Sequence, residues 1–301
     1  MSLYEVLDPR FNAYVVGNAL LEKLGEGFRW AEGPAWFGDM NTLVFSDVPG
    51  DRMLRWSEAG GVEVFRQPSG FANGNTRDRE GRLVTCSHLG RCIQRTEHDG
   101  RIVVLADQHK GRRLNSPNDV VVKSDGSIWF SDPAYGIAGD YQGARAEQEL
   151  PANVYRLDPE TGSLSVVTDV FTAPNGLAFG PDERLLYVAE TGEASGEPRP
   201  HIRVFDVSED GTQLSNGRLF FQFPHGNADG FRIDEDGDLW CGQPEGVVCI
   251  APDGTLLGKI LTPSTVANVT FGGLHRNRLF ICASQTLYAI YVNTRGLANG
   301  G

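Results

Sequence analysis

One short pattern recurs along the chain and constrains the fold more than any other feature. Its clearest copy is NADGFRIDEDGDLWCG, at residues 227–242. A polar turn ending in Asp-Gly leads into a short apolar strand, an Asp/Gly-rich turn and a second strand. Five further copies occupy residues 32–47, 73–88, 117–132, 174–190 and 268–284. The sequence therefore predicts six copies of one supersecondary unit.

The spacing of these copies predicts the architecture. Their lead polar residues are 39 to 57 positions apart, and these are Glu32, Asn75, Asn118, Asn175, Asp229 and Asn268. Later segments predict third strands, at residues 53–56, 153–157, 201–207, 247–250 and 286–292. Units of this length with about four short strands each are typical of propeller blades. We therefore predict an all-β, six-bladed β-propeller, and a single domain over residues 1–301, because one blade cannot bury its own faces.

Three segments depart from the repeat. Residues 1–24 are an N-terminal extension or a ring-closing segment, with a short helix expected over 3–7 and a helix or strand over 19–24. The apolar stretch at 20–30 is expected to supply an outer strand to the last blade. Residues 136–150 and 192–200 are predicted insertion loops that project from one face of the disc and border a pocket mouth, or are plain solvated loops.

Composition excludes several classes of function. The net charge of −12 argues against a nucleic-acid-binding surface, which needs clustered Lys and Arg. No apolar stretch approaches the roughly 18 residues of a membrane span, and no signal peptide is visible at the N-terminus. The five cysteines form no C-x-x-C pair and lie in apolar patterns. They predict buried thiols in a reducing compartment, and hence a cytoplasmic protein without membrane or nucleic-acid partners.

The lead residues predict a metal site. In a propeller the first strand of each blade lines the central channel, so the six side chains should converge near one mouth. Glu32 and Asp229 are carboxylates and the other four are amides. Such a set without His or Cys suits a hard cation such as calcium, and two negative charges match a divalent ion. The alternative is that these are only turn residues, since Asn-Gly and Asp-Gly favour turns.

Several of these segments resemble the family of senescence marker protein, gluconolactonase and luciferin-regenerating enzyme, over about residues 24–292. The motifs that carry the resemblance are Glu32-Gly33-Pro34, Ser116-Pro117-Asn118-Asp119, Pro174-Asn175-Gly176-Leu177 and Ala228-Asp229-Gly230. Two more resemble its bacterial gluconolactonase branch, namely Ser131-Asp132-Pro133-Ala134-Tyr135-Gly136 and Asn268-Val269-Thr270-Phe271-Gly272-Gly273. The resemblance implies a six-bladed propeller that holds one divalent metal, calcium or zinc, and hydrolyses lactones.

The resemblance also implies roles for individual residues. Glu32, Asn175 and Asp229 match the metal ligands of the family, and Asp229 also matches the proposed base. Asn118 matches a residue that contacts the metal directly or through water and faces the substrate. Where animal members carry an arginine two residues before that asparagine, this chain has Ser116, so its substrate contacts differ.

These assignments predict a metal-dependent sugar lactonase, with glucono-1,5-lactone as the leading substrate. A bound cation stabilises negative charge on the carbonyl oxygen, and Asp229 accepts the proton of the attacking water. Asn118 acts with Asp229 in catalysis. Further side chains at strand ends are candidates for binding substrate hydroxyl groups, namely Asn75, His88, Asp132, Tyr135 and Asn268. For His88, a hydrogen-bonding role is favoured over that of a base.

Other functions stay open at the level of sequence. A phosphotriesterase-type hydrolase would use the same polarisation on a P=O bond. A non-enzymatic propeller would keep the ion as a structural plug and present an apolar binding face. A strictosidine-synthase-like enzyme would need a glutamate in an apolar pocket and no metal. No G-x-S-x-G elbow supports an α/β-hydrolase triad, and no glycine-rich phosphate loop supports nucleotide binding.

Overall fold

The computed structural model describes residues 3–192 and 200–297. Within these residues the chain forms 27 β-strands and no α-helix. Three short 3-10 helices interrupt the strands, at Pro9–Ala13, Val48–Gly50 and Tyr135–Ile137. The all-β prediction is confirmed.

Six antiparallel sheets form the blades of a β-propeller. Blade 1 contains Ala31–Phe37, Thr42–Asp47, Arg52–Ser57 and Gly61–Arg66. Blade 2 contains Ala72–Arg77, Leu83–Ser87, Cys92–Thr96 and Ile102–Ala106. Blade 3 contains Val120–Val122, Ile128–Asp132, Asn153–Leu157 and Leu164–Thr168.

The second half of the ring repeats this order. Blade 4 contains Pro174–Phe179, Leu185–Glu190, His201–Val207 and Leu214–Gln222. Blade 5 contains Phe231–Ile233, Leu239–Gln243, Gly246–Ile250, Leu256–Leu261 and, from the N-terminus, Tyr4–Val6. Blade 6 contains Val266–Gly272, Arg278–Ala283, Thr286–Tyr291 and Glu22–Glu26. A two-stranded hairpin, Gln108–His109 with Arg112–Arg113, follows blade 2.

The first strand of each blade in this list lines the channel. Each inner strand contacts the inner strand of the next blade, and that of blade 6 contacts that of blade 1, so the ring is closed. All five predicted third strands occur as third strands, to within one residue at each end. Six sheets in a closed ring confirm the six-bladed propeller.

Both N-terminal strands join blades built from the opposite end of the chain. Glu22–Glu26 pairs with Thr286–Tyr291 and is the outer strand of blade 6, so that blade is assembled from both ends of the sequence. Tyr4–Val6 pairs with Leu256–Leu261 as the fifth strand of blade 5. The helix expected over residues 3–7 is wrong, because these residues satisfy their backbone groups on an existing sheet edge and not with one another.

The hydrophobic core lies between neighbouring blades. The side chains of each radial sheet alternate between the two adjoining interfaces. Trp36 of blade 1 stacks on Phe280 of blade 6 with ring centroids 5.2 Å apart. Trp129 of blade 3 meets the edge of Phe179 of blade 4 at 5.3 Å. All five cysteines are buried free thiols, so the predicted burial of these side chains is confirmed.

The first predicted insertion loop follows the second strand of blade 3. It begins with the 3-10 helix Tyr135–Ile137 and returns at Asn153, on the side of the disc where the inner strands begin. Most of the second, at residues 192–200, lies outside the described residues. No helix in the part of the chain that the structure describes is long and apolar enough to cross a membrane.

Candidate functional site

Six polar side chains, one from each blade, line the mouth of the channel where the inner strands begin. We call them the polar ring: Glu32, Asn73, Asn118, Asn175, Asp229 and Asn268. Four of the inner strands carry a register irregularity at this point, in blades 1, 2, 4 and 6. A bulge of this kind bends a strand and re-aims a side chain, here towards the channel.

Glycines allow the inner strands to approach one another at the ring. A Cβ atom on Gly33 would lie 2.1 Å from the carbonyl oxygen of Asn73. A Cβ atom on Gly176 would lie 2.5 Å from the carbonyl oxygen of Asp229. The glycine after a ring residue is therefore required for the backbone of one blade to reach the ring residue of the next.

Hydrogen bonds connect four of these side chains in sequence around the channel. Asn73 donates from Nδ2 to Oδ1 of Asn118 at 2.7 Å. Asn118 donates from Nδ2 to Oδ1 of Asn175, also at 2.7 Å. Asn175 in turn bonds the carboxylate of Asp229. The amides are thus mutually paired, which makes their burial energetically acceptable.

Glu32 occupies the opposite side of the ring. Its Oε2 accepts hydrogen bonds from the backbone N–H of Gly33 at 2.7 Å and from Nδ2 of Asn268 at 3.2 Å. The amide oxygen of Asn268 accepts from the N–H of Val269 at 2.8 Å. Asn268 therefore lies in the ring as predicted from its motif, with its amide directed at Glu32.

The environment of the two ring carboxylates disfavours their ionised forms. Burial raises the pKa of Glu32 well above its usual range, and the nearby Asp229 raises it further. Burial also raises the pKa of Asp229 to about 7, although its hydrogen bond from Asn175 opposes this. Asp229 keeps partial exposure at the mouth, whereas the other five ring residues are buried. A cation between them would relieve both effects, because opposite charge favours the ionised form.

A buried ion pair next to the ring sets its charge. Asp119 follows Asn118 and lies 3.5 Å from the guanidinium Nη1 of Arg232, which is three residues beyond Asp229. Both side chains are almost fully buried. Arg232 balances the formal charge of Asp119, although Asp119 still raises the pKa of both ring carboxylates. The remaining formal charge is that of Glu32 and Asp229. A divalent cation balances it.

The donor set fits such a cation. Among the described residues no group of three or more His, Cys, Asp and Glu side chains is placed to hold a metal ion. The ring contributes only two carboxylates, and the amide oxygens of Asn118 and Asn175 could supply further oxygen donors. Oxygen donors of this mixed type suit calcium better than the nitrogen and sulfur donors that zinc usually takes.

The prediction that Asn75 faces the channel is wrong, because its side chain lies away from the ring. Its Nδ2 donates to the carbonyl oxygens of Gly33 and Asn73 and to Oγ of Ser46, each at 2.9 Å. Its Oδ1 accepts from Thr85 at 2.8 Å. With all these groups engaged, Asn75 holds the inner strands of blades 1 and 2 together, and Asn73 takes its place at the channel. The signal for Asn73 was the pair Asn73-Gly74, which parallels Glu32-Gly33 and Asn175-Gly176.

Asp132 also faces the backbone. Its two carboxylate oxygens accept from the N–H groups of Asn115 and Ser116, each at 2.8 Å. Burial raises its pKa to about 7. Asp47 and Glu190 accept in the same way from the residues two and three positions before their own ring residue. Asp132 is one of three carboxylates that anchor the segments entering the inner strands.

Tyr135 lies at the mouth beside blade 4. Its hydroxyl group bonds the hydroxyl of Thr191 and reaches the side chain of Asn175. Burial raises the pKa of the phenol, so it is neutral at ordinary pH. The position brings Tyr135 to the ring, where it can contact a bound molecule.

His88 contacts the ring through Asn73. Its Nε2 lies 3.2 Å from Nδ2 of Asn73, and its Nδ1 lies 2.8 Å from the carbonyl oxygen of Gln142 in the insertion loop. Burial lowers the pKa of the imidazole to about 4, so the ring is neutral at pH 7. Both nitrogens are engaged, which agrees with a hydrogen-bonding role.

The start of the insertion loop covers Ser116. Ser116 is buried and donates from Oγ to the carbonyl of Pro133 at 2.6 Å, while accepting from the N–H of Gly136 at 2.9 Å. Gly136 is so close that a Cβ atom there would lie 2.6 Å from Cβ of His88 and 2.8 Å from that of Ser116. A long side chain at position 116 has no room under this loop.

Comparison with known proteins gives a consistent result. Residues 30–285 match the model of the SMP-30/gluconolactonase/LRE-like region. A gluconolactonase from Zymomonas mobilis is 33% identical, over 96% of this chain and 85% of its own length. A solved gluconolactonase from Xanthomonas campestris is 41% identical with a TM-score of 0.89, over 96% of this chain and 94% of that one. The calcium-binding protein regucalcin of Agrobacterium tumefaciens shares the fold, with a TM-score of 0.75, 17% identity and coverage of 92% and 95%.

Proposed function

Because the chain belongs to the SMP-30/gluconolactonase/LRE-like family, we propose that it hydrolyses sugar lactones at the polar ring. The observation that carries the proposal is the convergence of Glu32, Asn118, Asn175 and Asp229 at one mouth of the channel. Each belongs to a different blade, and together they combine two carboxylates with two amides. The relatives named for gluconolactone hydrolysis support the substrate class.

We infer that Glu32, Asn175 and Asp229, together with Asn118, hold one divalent cation, with calcium preferred to zinc. When bound, the cation supplies positive charge where the lactone carbonyl oxygen becomes negative. The net charge of the site and its oxygen donors support this inference.

The residues of the chain provide the proton transfers. Asp229 keeps exposed surface in the ring, which supports its proposed role as acceptor of the proton of an attacking water. The water oxygen bonds to the carbonyl carbon, the C–O bond of the ring ester breaks, and Asp229 returns the proton to the ring oxygen. The product is an open-chain hydroxy acid, which ionises and acidifies the solution.

The amides orient the substrate. Asn118 uses one N–H for Asn175, and its second N–H is available to a lactone oxygen. Asn73, Tyr135 and Asn268 border the same mouth and offer polar groups to the hydroxyl groups of a sugar. We propose glucono-1,5-lactone as the substrate and, from the five buried free thiols, the cytoplasm as the location.

Proton release from glucono-1,5-lactone, corrected for spontaneous hydrolysis, tests the proposal. The protein is treated with a chelator and then supplied with calcium, zinc, magnesium or manganese. Activity that disappears with chelator and returns with calcium supports a metal-dependent lactonase. No rate above background in a folded, calcium-saturated protein contradicts it. Faster turnover of paraoxon than of any lactone would identify a phosphotriesterase instead.

Variants separate catalysis from a structural ion. We expect Asp229→Asn to lose activity and Glu32→Gln to lose calcium affinity. Asp182→Asn changes an exposed carboxylate in a turn of blade 4 and serves as the matched control. If calcium only raises the melting temperature and no substrate is turned over, the ion is a structural plug.

A further inference from the structure

His88 bonds Gln142 and Asn73, and the side chain of Asn118 is a further partner of its imidazole. The directions of the first two bonds follow from the partners. The carbonyl oxygen of Gln142 can only accept, so the Nδ1 atom, 2.8 Å away, must carry the proton. In the neutral imidazole Nε2 is then an acceptor. The group that faces it, 3.2 Å away, is the amide nitrogen of Asn73, which can only donate.

This direction propagates along the ring. Because Asn73 presents Nδ2 to Asn118, Asn118 must present Oδ1 to Asn73. The Nδ2 atom of Asn118 then faces the next residue of the ring. Asn175 then accepts with Oδ1 and donates its amide hydrogen to Asp229. Each amide in the series fixes the orientation of its successor, and the last one directs a donor at a carboxylate.

The reversed series would be unfavourable. If Nε2 of His88 carried the proton, Asn73 would turn its amide oxygen towards Nε2. The amide nitrogen of Asn73 would then need a different hydrogen-bond acceptor. Turning Asn118 and Asn175 as well would bring an amide oxygen against the carboxylate of Asp229. Two acceptors in contact at a buried site are destabilising.

We propose that the insertion loop at residues 136–150, acting through His88, sets the orientation of the ring amides. His88 is a positioning residue for Asn118 and Asn175 and takes no proton from water. The inference rests on the proposed function, since these are the amides assigned to cation and lactone. It also gives the loop a role, which is to supply one backbone carbonyl at a fixed place.

The tautomer of His88 provides a test that does not depend on activity. Nitrogen-15 NMR of the whole protein at pH 7 should show one buried histidine with a protonated Nδ1 and an unprotonated Nε2. Comparison with His88→Gln assigns the signal. A protonated Nε2, or an imidazolium, would overturn the proposal.

Three variants test the consequence. His88→Phe removes both hydrogen bonds, and we expect calcium affinity by calorimetry, or kcat at saturating calcium, to fall about 10- to 100-fold, as for other residues that orient ligands. His88→Gln can still accept from Asn73 and donate to Gln142, so it should recover most of the loss. Gln142→Ala keeps its backbone carbonyl and should stay within about twofold of wild type.

The outcomes distinguish this inference from the proposed function. A wild-type lactonase whose affinity and kcat are unchanged in His88→Phe would refute the positioning role and leave the activity standing. A wild-type protein that shows the expected tautomer but hydrolyses no lactone would refute the activity. If His88→Phe does not fold, the tautomer measurement still decides.

Discussion

Asn118 of blade 3 donates a hydrogen bond of 2.7 Å to Asn175 of blade 4, although 57 residues separate them in the chain. The two residues are too far apart in the sequence for local structure to bring them together. They meet because each stands where an inner strand enters the channel. The candidate site is therefore a product of blade geometry, and its properties should respond both to ring substitutions and to changes that disturb the blades.

Replacing Asp229 by Asn should abolish most of the lactonase activity. The amide cannot accept a proton from water, and general-base catalysis typically contributes about 10²- to 10⁴-fold. We expect kcat to fall by at least about 100-fold. The fold should remain, because Asn keeps the shape of the side chain. Initial rates of acid release, with circular dichroism for folding, check this. Full activity in Asp229→Asn would exclude it as the base.

The stability of the metal-free protein should fall as pH rises. Folding raises the pKa of Asp229 from its ordinary value of 3.8 to about 7 through burial. Between these values the folded protein binds more protons than the unfolded chain, so stability decreases with pH across that window. Glu32 has the same sign. Melting temperatures measured in chelator between about pH 5 and 8 should therefore decline.

Calcium should reverse this trend. Its ligands must be deprotonated, so the stabilisation by calcium should grow with pH over the same range. Asp229→Asn should make the decline of stability with pH in chelator less steep and weaken the effect of calcium, while Glu32 and Asp132 keep part of the decline. A melting temperature in chelator that rises steadily from pH 5 to 8 would contradict the assignment.

Gly176→Ala should damage both stability and activity. The added methyl group would lie 2.5 Å from the carbonyl of Asp229, so the inner strands of blades 4 and 5 must separate. Overpacking of this kind costs about 1–3 kcal/mol. Gly139→Ala, where no atom lies within 4 Å of the added group, is the control and should behave as wild type. Urea unfolding followed by fluorescence measures the stability of both variants, and initial rates of acid release measure their activity. Equal stability of the two variants would contradict the close approach.

Truncation should separate the roles of the two N-terminal strands. Deleting residues 1–7 removes only the fifth strand of blade 5 and should lower the melting temperature modestly. Deleting residues 1–26 also removes the buried Phe11 and exposes the edge of Thr286–Tyr291. Blade 6 then loses the outer strand that joins the two ends of the chain. We expect the longer deletion to aggregate or to unfold without cooperativity. Calorimetry checks both, and similar stability of the two forms would refute a closing role for Glu22–Glu26.

The residues at the ring show how far a repeat predicts a site. Five of the six positions follow from the motif, because a polar residue at the start of an inner strand lies at the mouth of the channel. Blade 2 is different, since Asn73 and Asn75 are both asparagines in the same short stretch. The irregularity between Ala72 and Asn75 directs the first to the channel and the second to the backbone of blade 1. The spacing of the repeats in the sequence does not reveal that irregularity.

Second-strand residues illustrate a different limit. Asp132 ends the second strand of blade 3, and His88 directly follows that of blade 2. Both types of side chain are common in substrate sites. Asp132 is satisfied by two backbone N–H groups of its own blade, whereas His88 is joined to a loop of the neighbouring blade. Their roles depend on which donors and acceptors the folded chain brings within 3 Å, and these belong to segments distant in sequence.

The sequence by itself determined the fold and the chemical type of the site. Alternating strands with Asp/Gly turns at a regular spacing can bury their apolar faces only as blades in a ring, and the polar lead residues then bring carboxylate and amide groups to its axis. Tertiary structure decided the pairing of the N-terminal strands, the choice of Asn73, and the direction of the amides. Those outcomes depend on contacts of a few ångströms between different blades, which exist only after the ring has closed.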